Sequence, residues 1–134
     1  DLARFGQMLL DGGAVGKKQL VPARFLRDTY VGATDSVAAF HARLGAEGLD
    51  APNARNSLYR NQFWVVEAGR RLTLGLGVHG QALVVDGDNR VVVVKLSSWP
   101  VPQDPLLFDA GTACAVAVAE ALGGVHEGYV SLHR

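Results

Sequence analysis

An imidazole and a side-chain amide stand two residues apart at His79 and Gln81, inside the run Val78-His79-Gly80-Gln81-Ala82. Alternate side chains of a strand share a face, so a pleated segment from Leu72 to Val85 places His79 and Gln81 on one side and Gly80 and Ala82 on the other. An imidazole near neutral pH accepts, donates or relays a proton, and an amide both donates and accepts hydrogen bonds. On the wall of a cleft, that pair suits attack on a carbonyl substrate or the holding of a peptide-like ligand.

Other residues with chemical potential have simpler readings. Asp86 and Asp88 flank Gly87, where turn chemistry accounts for both carboxylates. His41, His126 and His133 have no carboxylate or second histidine at ligand spacing, so neither a metal nor a cofactor is implied. Gly75-x-Gly77-x-x-Gly80 has the letters of a dinucleotide fingerprint, but it lies in a strand leading to a hairpin and lacks the helix N-terminus that would hold a phosphate. Cys114, the one cysteine, sits in an apolar helical run and reads as a small buried hydrophobe. Trp64 and Trp99 read as core and lobe-junction packing, with Trp99 placed to border a cleft.

The positioning elements follow from periodicity and punctuation. Asp1 can cap a helix with Leu2, Phe5, Met8 and Leu9 on one face, stopped by Gly12-Gly13. After a turn at Gly16, Pro22 suits the first position of a second short helix carrying Phe25 and Leu26. Asp35 or Ser36 can cap a third, from Val37 to Leu44, and Gly45 to Ser57 reads as loop. From Leu58 the texture is β: Asn61 to Glu67, Leu72 to Val85 and Arg90 to Ser98, joined by turn-forming segments into a three-strand antiparallel meander. Val91 to Val94 is apolar on both faces, so that strand needs a cover on each side. Asp104-Pro105 opens a helix to Leu122 that supplies one cover, while the other is not found in the sequence.

A chain of 134 residues, 49% hydrophobic and with a formal charge of zero, can build one ordinary core. Its basic residues are scattered, which excludes a stripe for nucleic acid or anionic lipid. The longest apolar stretch, Thr112 to Leu122, is too short to span a bilayer, and Asp1-Leu2-Ala3-Arg4 lacks the pattern of a secretory signal. The compartment, cytoplasm or periplasm, stays open.

Four segments in order carry a resemblance: Asp1-Leu2-Ala3-Arg4-Phe5-Gly6-Gln7-Met8-Leu9-Leu10, Tyr59-Arg60-Asn61-Gln62-Phe63-Trp64, Gly77-Val78-His79-Gly80-Gln81 and Val92-Val93-Val94-Lys95-Leu96-Ser97-Ser98. Over roughly residues 1 to 123 the chain resembles the serine β-lactamase-like hydrolases, in their class C and esterase branch, and there most nearly the 6-aminohexanoate-dimer hydrolases. The resemblance implies an α+β fold: the C-terminal portion of a β-lactamase/transpeptidase-like architecture, with an antiparallel sheet packed by a C-terminal helix and preceded by short helices. It divides the chain into the remainder of a helical lobe (1–57), part of a sheet lobe (58–124) and a tail (125–134). It further implies an acyl-enzyme hydrolase of amides or esters whose Ser-x-x-Lys nucleophile lies outside this chain, in a preceding N-terminal part, since no serine here has lysine three residues later.

On the same resemblance, His79, Gly80 and Gln81 replace the Lys-Thr-Gly triplet lining the cleft. Loss of that lysine disfavours anionic substrates and gives His79 a hydrogen-bonding role beside the leaving group, with Gln81 as a second substrate contact. The N–H of Ala82 becomes one oxyanion donor. Tyr59-Arg60-Asn61 matches a family Tyr-x-Asn motif by letters alone and reads as coincidence. Two other functions compete: a non-catalytic relative whose cleft binds a peptide-like ligand or a protein, and an independent α+β module, dimeric through its apolar sheet.

Overall fold

The computed structural model describes residues 1–46 and 55–123. The expected tail, with His126 and His133, and most of the expected loop from Gly45 to Ser57 lie outside the described residues. Helix α1 (Leu2–Leu10) buries Gly6, Met8 and Leu10 and ends where Gly12 and Gly13 take positive φ. A two-stranded hairpin follows, β1 (Ala14–Val15) and β2 (Lys18–Gln19). Pro22 is the N-cap of α2 (Ala23–Val31), one position earlier than expected, and its fixed φ still directs the chain into the helix. The third helix, α3 (Ser36–Ala46), begins at a serine whose Oγ accepts the N–H of Ala33 at 2.8 Å.

The sheet has five antiparallel strands in sequence order: β3 (Leu58–Arg60), β4 (Phe63–Val65), β5 (Leu72–Gly77), β6 (Gln81–Asp86) and β7 (Val91–Lys95). Of the three expected strands, Leu72 to Val85 is a hairpin, while Asn61 to Glu67 holds only β4 after a turn, with β3 an added strand before it. Between β3 and β4 the turn is Asn61-Gln62, with φ of 52° and 68°; between β5 and β6 it is Val78-His79-Gly80, with φ of 58° at His79 and 84° at Gly80. Left-handed residues reverse the chain within two or three positions, so the single pleat expected from Leu72 to Val85, with His79 and Gln81 alternating along it, is corrected.

The register sorts the core. Leu83, Val85, Val92 and Val94 face α1 through Leu9 and Leu10, whereas Leu72, Leu74, Val84 and Val93 face Ala115 and Val116 of α4 (Pro105–Gly123). The cover expected to be missing from the sequence is therefore α1, which lies on β6 and β7 opposite α4. Each fully buried aliphatic side chain in these layers contributes about 1.5–3 kcal/mol. Gly6 lets α1 approach, because a methyl there would press on Val92 and Leu83.

Helix α4 starts at the expected Asp104-Pro105, where Asp104 Oδ1 accepts the N–H of Leu107 at 3.0 Å. With 19 residues it is long and apolar enough, by length and composition alone, to cross a membrane, which the shorter stretch from Thr112 did not suggest. Its inner face rests on the sheet through Ala115, Val116 and Ala119, and Cys114 points outward and is exposed, not buried as expected. Among the described residues, four helices on and beside an antiparallel sheet make an α+β fold compatible with a β-lactamase-like one.

Candidate functional site

The tip of the β5–β6 hairpin is tied to the chain leaving β7. His79 donates its main-chain N–H to Pro102 O at 2.8 Å, and His79 O receives the N–H of Trp99 at 3.3 Å and Ser97 Oγ at 3.1 Å. Gly80 O accepts Lys95 Nζ at 2.9 Å and Ser97 Oγ at 2.8 Å, and Lys95 Nζ also lies 4.8 Å over the Trp99 ring. Two adjacent left-handed residues are thus held from one side by a lysine, a serine and a tryptophan.

The His79 ring is half-buried, with Nδ1 2.8 Å from Trp99 O. A carbonyl only accepts, so Nδ1 carries the hydrogen and the neutral ring presents its lone pair at Nε2. Among the described residues Nε2 has no hydrogen-bond partner, and it is not enclosed. The structure thereby offers an oriented acceptor, and not a ring sealed among aliphatic groups.

Gln81 and Ala82 sit differently from expectation. The Gln81 amide acts as an extra peptide beyond the end of β7: Nε2 donates to Ser97 O at 2.5 Å and Oε1 accepts Ser97 N–H at 3.4 Å. Both ends of that amide are engaged by the protein's own main chain. Ala82 pairs with Leu76 on one side and Lys95 on the other and is 6% exposed, so its N–H lies within the sheet and not at a gap. A single continuous strand would have left that edge open; the hairpin closes it.

The main chain that does stay open is one strand away. β4 pairs with β5 only at Thr73 and Leu74, so the outer edge of Gly75-Leu76-Gly77 extends past its neighbour. Leu76 and Gly77 line two hollows. One is an open groove of about 710 Å³ on the α1 side with Phe5, Phe25, Tyr59, Phe63 and Gln81 in its wall; the other is a smaller cavity on the α4 side. Nothing in the expected strand pattern points to this edge. The signal that could have found it is the pairing of two glycines, Gly75 and Gly77, with Asn61-Gln62 as a turn that ends the neighbouring hairpin.

Tyr59 and Asn61 also reach the groove. The Tyr59 hydroxyl donates to Gln62 Oε1 at 2.9 Å, while Asn61 Nδ2 donates to Asp28 Oδ2 at 3.1 Å and Thr29 Oγ1 at 3.0 Å. Arg60 grips Asp28 with two bonds of 2.8 Å, fastening the β3–β4 turn to α2. Arg60, then the Asn61 amide, hold the Asp28 carboxyl below its ordinary value of 3.8. The folded state therefore favours the ionised form, and the stabilisation is complete above the usual carboxylate range and lost as pH falls through and below it. Asp28→Asn is expected to flatten the fall in denaturant midpoint between about pH 5 and pH 2. Identical pH profiles for parent and variant would show that the tether contributes nothing.

Comparison with known proteins adds a relationship. No family profile matches the chain. Over 125 residues it is 31% identical to 6-aminohexanoate-dimer hydrolase of Paenarthrobacter ureafaciens, a match covering 93% of this chain and 30% of that protein. The likeness is to a hydrolase. The chain spans under a third of that relative's length. Among the described residues no group of histidine, cysteine, aspartate and glutamate could hold a metal ion.

Proposed function

We propose that this chain is the C-terminal part of a serine hydrolase that cleaves amide or ester bonds through an acyl-enzyme, its nucleophile supplied by a preceding segment of the same polypeptide. The observation that carries the reading is the open edge of Gly75-Leu76-Gly77 between two hollows, beside an imidazole whose acceptor nitrogen is exposed. Glycines keep side chains away from that edge, so a substrate can lie against the main chain. An N–H there, directed outward, serves as the oxyanion donor in place of the enclosed one of Ala82. Gly80 sets the turn, His79 Nε2 accepts a proton or hydrogen bond at the leaving group, and Gln81 supports the wall. The relative's name makes an amide of an amino acid one natural substrate, and the absence of a lysine at His79 leaves little to attract a penicillin carboxylate.

The full-length polypeptide is expected to hydrolyse 4-nitrophenyl esters, and His79→Ala to lower kcat/KM by about a hundredfold, the low end for removal of a general acid–base group. Steady-state assays at matched folded fraction decide it. An unchanged rate removes His79 from the mechanism.

A further inference from the structure

We infer that the cavity on the α4 side is a specificity pocket for a short apolar chain of the substrate, and that it refuses a chain ending in a carboxylate. This rests on the hydrolase reading and names the substrate class for that site. The cavity has about 330 Å³ and is walled by Trp64, Leu76, Trp99, Pro102 and Phe108, with Asp104 as its acidic group. That volume lies at the small end of the roughly 300–1,000 Å³ usual for ligand pockets, room for one short chain or ring and too little for a folded peptide.

Position ties it to chemistry. Leu76 and Gly77 belong both to this cavity and to the open strand edge, so a group lying on that edge can direct one substituent into the pocket. Trp64 is 38% exposed although it stacks edge-on against Phe40 and Tyr59, which leaves an aromatic surface facing solvent until something covers it.

Charge selects among chains. The start of a helix ordinarily favours an anion, but Asp104 Oδ1 already takes the Leu107 N–H at 3.0 Å. Its carboxylate adds a negative charge at the mouth of an apolar hollow, where a second carboxylate would lose its hydration and meet a like charge. Lys95 is not among the residues lining the cavity; its ammonium is bonded to Gly80 O and Ser97 Oγ and lies over the Trp99 ring.

The test uses full-length protein and three 4-nitrophenyl esters: acetate, hexanoate and the adipate monoester, which matches hexanoate in length but ends in a carboxylate. Hexanoate is expected to exceed acetate by about tenfold or more in kcat/KM, and the monoadipate to fall below hexanoate by a similar factor. Asp104→Asn keeps an oxygen for the helix cap and removes the charge; it is expected to shrink the hexanoate-to-monoadipate ratio about tenfold. Phe108→Ala is expected to reduce the preference of hexanoate over acetate. Equal rates for hexanoate and monoadipate, or an Asp104→Asn ratio like the parent's, overturn the inference. If no ester is cleaved, the hydrolase reading fails while the pocket stays testable through tryptophan fluorescence. A saturable response to 1-hexanol and none to adipate supports it, and the reverse or no response to either overturns it.

Discussion

Asp86→Ala is expected to lower the unfolding free energy by about 3 kcal/mol or more. The carboxylate is wholly buried at the end of β6. Its Oδ1 accepts the N–H of Asp88 at 3.1 Å and of Asn89 at 3.0 Å, and its Oδ2 accepts Asn89 Nδ2 at 2.7 Å, with Arg70 standing 4.0 Å off. Alanine leaves those donors without this acceptor, the two of Asn89 in a buried corner, and each orphaned buried group costs roughly 1–3 kcal/mol. Asp86→Asn keeps one acceptor oxygen but turns an NH2 toward the donors, so it is expected to fall between the two. Urea unfolding measures the difference, and the slope should stay constant if only the folded state is affected. A midpoint for Asp86→Ala within error of the parent would show that the turn does not depend on this anchor.

The same turn sets the register of the site. Asp86 pairs with Val91, and counting back along that ladder brings Ala82 opposite Lys95. A slip of one residue would exchange the faces of β7, moving Val92 and Val94 away from α1 and Lys95 away from the hairpin tip. The residues that look like turn formers in the sequence, Asp86-Gly87-Asp88-Asn89, therefore also decide where Lys95 and Ser97 meet His79 and Gly80.

How far the sequence could be read depended on what its turns are made of. Helices announced themselves: Leu2, Phe5, Met8 and Leu9 recur at helical spacing, Gly12-Gly13 stops α1, and Asp104-Pro105 opens α4. The Asp-Gly turn before β7 has familiar chemistry and was legible for that reason. Asn61-Gln62 and His79-Gly80 were not, because Gln62 and His79 occupy a left-handed conformation that such residues seldom adopt, and apolar runs on either side conceal the break. From that one omission the errors follow together. His79, expected on a pleat, lies at a tip; Gln81, expected to contact substrate, binds Ser97; and Ala82, whose N–H is expected as an oxyanion donor, lies mid-sheet. The open edge at Gly75–Gly77 was invisible because it depends on where β4 stops pairing, a property of two strands. The second cover of the sheet was overlooked because α1 lies far from β7 in sequence, and nothing local tells which face a helix will close.

Gly80→Ala is expected to destabilise the protein by about 3 kcal/mol, combining a left-handed backbone with overpacking. At φ 84° a side chain is strained by itself, and a methyl built there collides with the Trp99 ring and with Ser97 Oγ. Neither neighbour yields easily, because Trp99 is held on both sides, by Lys95 over its ring and by His79 at its main chain, and Ser97 bonds to both carbonyls of the turn. Gly75→Ala is the contrasting case: φ is not left-handed there, and the added carbon would sit at ordinary contact distances, 3.7 Å from Phe63 and 3.8 Å from Leu83. It is expected to change stability by less than about 1 kcal/mol. Thermal and urea unfolding of the two variants therefore separate a conformational need for glycine from mere smallness. In the full-length polypeptide the Gly80 variant should also lose ester hydrolysis beyond its loss of folded protein, since pushing Trp99 away removes the carbonyl that orients His79. A Gly80→Ala protein as stable as the parent, with its activity intact, would mean that the clamp between hairpin tip and Ser97–Trp99 holds neither the fold nor the imidazole in place.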